Sequence, residues 1–185
     1  LITASIISKK LASGITNLIL DVKVGRGALM TNVTRAKKLA KSLVSVSNAS
    51  NCKTRALITN MDDPLSSAIG NALEVETVVD VLLGKNKNEK ALLDTTIALS
   101  VELYSMVYPE KSKMEIKKKV CSLLDSGHVA ERFENMVSAL GGPKDFLSTY
   151  KKVLPKTKYV IPVRAKKDGY ITQIDTKALG NILIK

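Results

Sequence analysis

The chain has 185 residues, 45% of them apolar and 4% aromatic, with 29 Lys and Arg against 17 Asp and Glu and a formal net charge of +12. That is apolar material for one sizeable domain, or a large domain with a small second piece, whose core is built from Leu, Ile, Val and Ala. No apolar run approaches the ~18 residues of a membrane-spanning helix, so no membrane partner is expected. The two cysteines, Cys52 and Cys121, lie far from each other and neither adjoins another Cys or the one histidine, His128, which argues against a disulfide framework and a zinc site. The positive charge lacks the interleaved aromatics or motif of a nucleic-acid binder, so it reads as a solvated lysine-rich surface and nucleic acid is not expected as a partner.

The chain opens on Leu1 in a helical pattern, with no basic stretch and no cleavage site. A signal peptide is therefore not expected, and the opening suggests a cut inside a longer protein. The cysteine usage suggests a reducing, cytoplasmic setting. Residues 1–12 read as a helix, with Ile2, Ser5, Ile6 and Lys9 on one side at the three- and four-residue spacings that share a face. Gly14 ends it. Residues 17–24, Asn-Leu-Ile-Leu-Asp-Val-Lys-Val, are short, apolar and branched, which suits a strand buried in a parallel sheet. Gly25-Arg26-Gly27 makes a turn, a helix follows over 34–47, and a second strand over 54–59. Strand, helix and strand in this order make a right-handed βαβ unit.

After Asp62-Asp63-Pro64 the pattern turns helical, with helices expected over 65–71, 74–83, 89–107, 112–126, 129–140 and 144–153, punctuated by glycines and prolines. The character changes again near the end. Tyr159–Val163 and Gly169–Ile174 read as strands, and Asp175-Thr176 starts a short helix containing Leu179. The expected architecture is an α/β fold with a mostly parallel sheet flanked by helices. Residues 1–12 form a remnant of a helical lobe, 13–155 a partial α/β domain, and 156–185 the opening of a truncated β-rich C-terminal domain.

Three stretches in register carry a resemblance: Leu1-Ile2-Thr3-Ala4-Ser5-Ile6 through Ser8-Lys9-Lys10-Leu11, Asp21-Val22-Lys23-Val24-Gly25-Arg26-Gly27-Ala28, and Ala68-Ile69-Gly70-Asn71-Ala72-Leu73-Glu74-Val75. Gly169 through Ile174, with Asp175-Thr176 and Leu179-Gly180, adds a fourth. Together they resemble the thymidine/pyrimidine-nucleoside phosphorylase family over essentially the whole chain.

The resemblance implies a glycosyltransferase of nucleoside salvage. Its reaction is reversible phosphorolysis of a pyrimidine nucleoside to free base and (deoxy)ribose 1-phosphate, with phosphate as co-substrate. It also implies a cytoplasmic enzyme that is a homodimer when complete. By the same resemblance, Lys9 is the catalytic residue, stabilising charge that develops on the ring carbonyl, Ser5 bonds the ring edge, and Ile2 contacts the ring's apolar side. No cofactor is required. The family can hold a monovalent cation such as K+, and the matching carbonyls are those of Leu65 and Ala68. The carboxylate position falls on Thr77, which brings no charge, with Glu76 beside it.

Gly25-Arg26-Gly27 after a strand is too short a signal for a phosphate cradle, and its glycines read as conformational. The family's glycine-rich phosphate loop, its active-site His and the Arg that partners the Lys have no counterpart in these residues. His128 has no family role and reads as a surface residue. The expectation is a part of such an enzyme that is inactive alone. The alternative is a shortened non-catalytic relative that binds a pyrimidine or a protein partner.

Overall fold

The structure is a computed structural model that describes residues 1–184. The described residues form eight helices and two strands, an α/β fold with a parallel sheet flanked by helices. They gather into two compact units. The first holds Leu1–Leu65, Ala91–Cys121 and the C-terminal stretch from Asp175; the second holds Ser66–Lys90 and Ser122–Ile174.

The first unit is built on a βαβ core. Helix α1 (Ile2–Ala12) leads into β1 (Asn17–Val24), α2 (Val33–Ala49) and β2 (Lys53–Asn60). The two strands pair in parallel, Asn17 opposite Lys53 through Val24 opposite Asn60. Alternation sends the even-numbered side chains to one sheet face and the odd-numbered ones to the other. Leu18, Leu20, Val22 and Val24 of β1, with Ala56 and Ile58 of β2, pack against Ile7 of α1 and against Ala36, Ala40 and Leu43 of α2. Ala36 and Ala40 are one turn apart and small, so α2 lies close on the sheet. Asn32 caps α2 by accepting from the Arg35 N–H at 2.9 Å, which satisfies one of the open amides of the first turn.

The odd-numbered face carries polar side chains. Helix α4 (Lys90–Val107) reaches it through Arg55, whose guanidinium donates to the Glu102 carboxylate at 3.0 Å and to the Ser105 hydroxyl at 2.8 Å. Lys113, at the start of α5 (Lys113–Asp125), donates to the other Glu102 oxygen. The Lys113 hydrogen bond foremost, and then Arg55, hold the Glu102 carboxyl below its ordinary range against the opposing effect of burial. Further along the same face Thr59 donates to Asp21 at 2.5 Å. The Lys23 ammonium is buried and meets Asp21 at 2.8 Å as an ion pair, without hydrogen-bond alignment. The last helix, α8 (Thr176–Ile184), also belongs to this unit and buries none of its residues.

The second unit is helical. Helices α3 (Asn71–Leu82), α6 (His128–Ala139) and α7 (Phe146–Val153) pack on one another around Val79, Phe146 and Tyr150. The Tyr150 hydroxyl donates to Asp80 at 2.5 Å. Burial, reinforced by the Asp80 carboxylate, pushes the phenol up to about 12. Glu89 is buried and accepts from both the N–H and the hydroxyl of Ser67, which fixes the loop before α3.

Two expectations are corrected here. Of the helix expected over 65–71, residues 65–70 are not helical, and Asn71 is the first residue of α3. Pro64 and the Gly70 backbone at φ +124 bracket the stretch, and its serines bond locally: the Ser66 hydroxyl donates to the Ala68 carbonyl at 2.8 Å, and Ser67 turns to Glu89. Local side-chain bonds of this kind compete with the helical ladder. Tyr159–Val163 and Gly169–Ile174 form no strands among the described residues. A strand exists only through its ladder partner, and both stretches are almost wholly exposed. The final residue of the expected C-terminal piece, Lys185, lies outside the described residues.

The Tyr150–Asp80 bond yields a stability prediction with a pH sign. A phenol whose folded pKa lies above its unfolded value of about 10 stabilises the fold fully below pH 10, and that stabilisation is lost as pH rises toward about 12. Tyr150→Phe is expected to cost about 1–2 kcal/mol near pH 8 in urea unfolding. The gap to the wild type should close between pH 10 and 12; a constant gap would mean that the hydroxyl does not act through Asp80.

Candidate functional site

Helix α1 has one buried side chain, Ile7, with Ile6 and Leu11 partly buried beside it against the βαβ core. Ser5 and Lys9 stand two residues to either side of Ile7, about 200° around the helix. They therefore project from the face opposite the core, and both are exposed. Ile2 is on the same outward side and also exposed. The three residues, spaced three and four apart, form a single stripe. The backbone of α1 leaves the stripe free. The Ser5 N–H is engaged with the Leu1 carbonyl at 3.0 Å, while the Ser5 hydroxyl and the Lys9 ammonium make no side-chain hydrogen bond or ion pair among the described residues. Lys9 and Lys10 sit in the last turn, where cations are favoured by the helix dipole. The stripe thus presents an apolar side chain, a hydroxyl and an ammonium in order along one helix.

The turn after β1 is built by close approach. Gly25 has φ +139, and a Cβ placed there would stand 2.6 Å from the Asp62 nitrogen and 2.7 Å from the Met61 carbonyl carbon. Its neighbours are tied down. Arg26 N–H donates to Asp62 at 2.9 Å, Gly27 N–H donates to the Met61 carbonyl at 3.1 Å, and Ala28 N–H donates to the Gly25 carbonyl at 3.1 Å. Thr176 of α8 closes over Gly27, where a Cβ would meet its hydroxyl at 2.6 Å. The amides of the Gly-x-Gly turn are all engaged inside the protein, so this turn is a structural joint at the carboxyl ends of two parallel strands and not an anion cradle. Asp62 is legible in the sequence only as part of an Asp-Asp-Pro boundary. Its role as the clamp of the Gly25 turn depends on the pairing of β1 with β2, which no local signal encodes.

The residues expected at the cation site are placed as follows. Leu65 belongs to the first unit, and Ala68 and Thr77 to the second. The Ala68 carbonyl accepts from the Ser66 hydroxyl, and Thr77 is buried on α3 with its hydroxyl donating to the Leu73 carbonyl at 2.9 Å. Glu76, the neighbouring carboxylate, lies 3.6 Å from the Lys151 ammonium. The charge that a cation would need is thus absent at position 77 and paired with a lysine at position 76. His128 is exposed at the start of α6, with Nδ1 2.7 Å from the Ser126 hydroxyl.

With this geometry in place, the comparisons with known proteins identify the class. A family model described as "Glycosyl transferase family, a/b domain" matches residues 1–130. A thymidine phosphorylase from Burkholderia lata is 43% identical over 180 residues, which cover 97% of this chain and 41% of that protein. The chain belongs to this glycosyl transferase family. It spans about two-fifths of the length of the relative it matches.

A test of the strand-end joint follows. Gly25→Ala is expected to lower stability by about 1–3 kcal/mol from its backbone conformation alone, with more from the overlap on Asp62 and Met61. Gly14, at φ +72, has nothing within 4 Å of the point where a methyl group would sit, so Gly14→Ala should cost about 1 kcal/mol. Equal urea midpoints for the two variants would show that the close approach at Gly25 carries no energy.

Proposed function

We propose that this chain supplies the base-binding side of a pyrimidine-nucleoside phosphorylase, a glycosyltransferase that acts on thymidine-type nucleosides. In that reaction a phosphate oxygen forms a bond to the anomeric carbon while the glycosidic C–N bond breaks. The electron pair goes to the ring nitrogen and spreads onto the ring carbonyls. The products are free pyrimidine and (deoxy)ribose 1-phosphate. The reading rests on one observation: an uncommitted hydroxyl and an uncommitted ammonium, one helical turn apart on an exposed face, at the positions where the resemblance to the phosphorylases puts them.

In this role Lys9 stabilises the charge that builds on a ring carbonyl. A preorganised donor aimed at developing charge is worth several kcal/mol, because it costs no reorganisation at the moment of reaction. Ser5 bonds the ring edge and sets its orientation, and Ile2 covers an apolar part of the ring. The complete enzyme is a cytoplasmic homodimer on this reading, with nucleoside and phosphate as its partners. No step is routed through a monovalent cation, since Thr77 offers a hydroxyl already engaged with Leu73 and Glu76 is paired with Lys151.

Two measurements test the reading. Residues 1–185 alone should release no thymine or uracil from the nucleosides in a phosphate-dependent assay, because the remaining groups of the family's site have no counterpart among them; turnover at enzymatic rates would contradict this division of labour. In a protein continued to the family's full length, Lys9→Ala should lower kcat by on the order of a hundredfold. Lys10→Ala, on the neighbouring side of the helix, should change it by less than about threefold. Equal effects at the two positions would remove Lys9 from the chemistry.

A further inference from the structure

The loop before α3, residues 66–70, is closed from within at three points. The Ser66 hydroxyl donates to the Ala68 carbonyl at 2.8 Å and accepts from the Ala68 N–H at 3.3 Å. At the other end the Gly70 N–H donates to the Glu74 carboxylate at 2.9 Å, and the Glu74 N–H donates to the Gly70 carbonyl at 2.8 Å. Between these two, Ser67 gives both its N–H, at 3.0 Å, and its hydroxyl to Glu89. Glu89 is 5% exposed and arrives from the far end of α3. The chain folds back after Leu82, where the N–H groups of Lys85 and Asn86 donate to the Asp80 carbonyl at 2.8 and 3.1 Å. The Asn86 side chain then donates to Glu89 at 3.4 Å. Glu89 thus ties the loop before α3 to the loop after it.

A carboxylate offers about four lone-pair directions. At Glu89 the Ser67 N–H, the Ser67 hydroxyl and the Asn86 amide take three of them. A buried charge persists only where donors meet it in this way. Glu89 also stands immediately before Lys90, the first residue of α4, where the helix dipole favours a negative charge. The resemblance to the phosphorylases implies a monovalent cation on this same loop, held through the Ala68 carbonyl and a carboxylate at position 77. The residues present do not fit one. Thr77 brings a hydroxyl already given to the Leu73 carbonyl, and the α3 carboxylates Glu74, Glu76 and Asp80 already meet the Gly70 N–H, the Lys151 ammonium and the Tyr150 hydroxyl.

We propose that Glu89 does by hydrogen bonding what a cation would do by coordination: it anchors residues 66–70, and this protein holds that loop without a monovalent cation. The negative charge beside the loop sits at position 89 instead of position 77, and it is spent on accepting from Ser67 and Asn86 and not on an ion. The loop is therefore fixed by groups of the chain alone. The inference does not depend on the reaction proposed above, and its readouts are stability and amide exchange, so it would stand if that reaction were different.

Residues 1–185 are compared in potassium, sodium and tetramethylammonium chloride at equal ionic strength. An ion bound only by the folded state raises Tm by mass action. The three Tm values should agree within about 2 °C, and the Ser67 amide should exchange at the same rate in all three salts when followed by NMR. A larger rise in Tm, or slower Ser67 exchange, in potassium or sodium chloride overturns the proposal. Glu89→Gln keeps the shape and removes the charge. It should speed Ser67 exchange at least about tenfold in every salt. A smaller effect removes Glu89 as the anchor, and recovery of slow exchange in potassium chloride would show that an ion can take its place, which overturns the proposal equally. Should Glu89→Gln fail to fold, the wild-type comparison still decides the matter of the cation, and Ser67→Ala, which deletes only the hydroxyl donor, decides that of the anchor. Ser67→Ala should lower Tm by more than about 2 °C in all three salts; an unchanged Tm counts against Glu89.

Discussion

The insertion of Ile7 between the sheet and α2 is the contact on which the geometry of the candidate site depends. Ile7 is 1% exposed and sits among Val22, Ala36, Ala40 and Leu43. Burying a side chain of this size contributes about 1.5–3 kcal/mol. That exceeds anything the polar face of α1 provides on its own: the helix has no side-chain cap, and Thr3 to Ser42 at 2.9 Å is an exposed bond. The rotation of α1 is therefore set by its apolar side. Once Ile7 is inward, the spacing of the sequence places Ser5 and Lys9 outward with no further choice. A helix steered by its polar residues would have left the ammonium free to pair with a nearby carboxylate.

Much of the first unit can be read from the letters. The run from Asn17 to Val24 is apolar, β-branched and bounded by Gly14 and Gly25, and it forms a strand over that range. Lys53–Asn60 extends the expected second strand by one residue at each end, and α1 and α2 lie where the three- and four-residue periodicity puts them. The stretch 65–70 departs from its expected helix because Ser66 and Ser67 find partners that compete with the ladder; Glu89, which holds Ser67, lies 22 residues away. Tyr159–Val163 and Gly169–Ile174 have the composition of strands, but composition supplies no ladder. Their side chains are nearly all exposed, Tyr170 at 98%. Within the candidate site, the Ser5 and Lys9 spacing is legible because it is local to one helix. The Asp62 clamp on the Gly25 turn is not, because it joins Arg26 to a residue 36 positions further on.

The surplus of positive charge lies at the surface. The carboxylates tend to be engaged inside the two units. Asp21 takes Thr59 and Lys23, Asp62 takes the Arg26 amide, Asp80 takes Tyr150, Glu89 takes Ser67, and Glu102 takes Arg55 and Lys113. Most of the lysines, by contrast, keep their heads in water along α2, α5 and the segment after α7. The excess of 29 Lys and Arg over 17 Asp and Glu is thus carried mostly by exposed lysines.

The same distribution bears on the chemistry. At an exposed helix face an ammonium gains little from distant charges, which salt screens within about 8–10 Å. Lys9 can act strongly only where water is excluded from around it, and nothing on α1 excludes water by itself. The stripe of Ile2, Ser5 and Lys9 is therefore a set of contacts that needs a covering surface before it becomes a site. On the proposed reading, that surface comes from the nucleoside together with the protein groups that enclose it. The stripe holds polar groups in a fixed array, and that array acquires its full energetic value only when a second surface removes it from water.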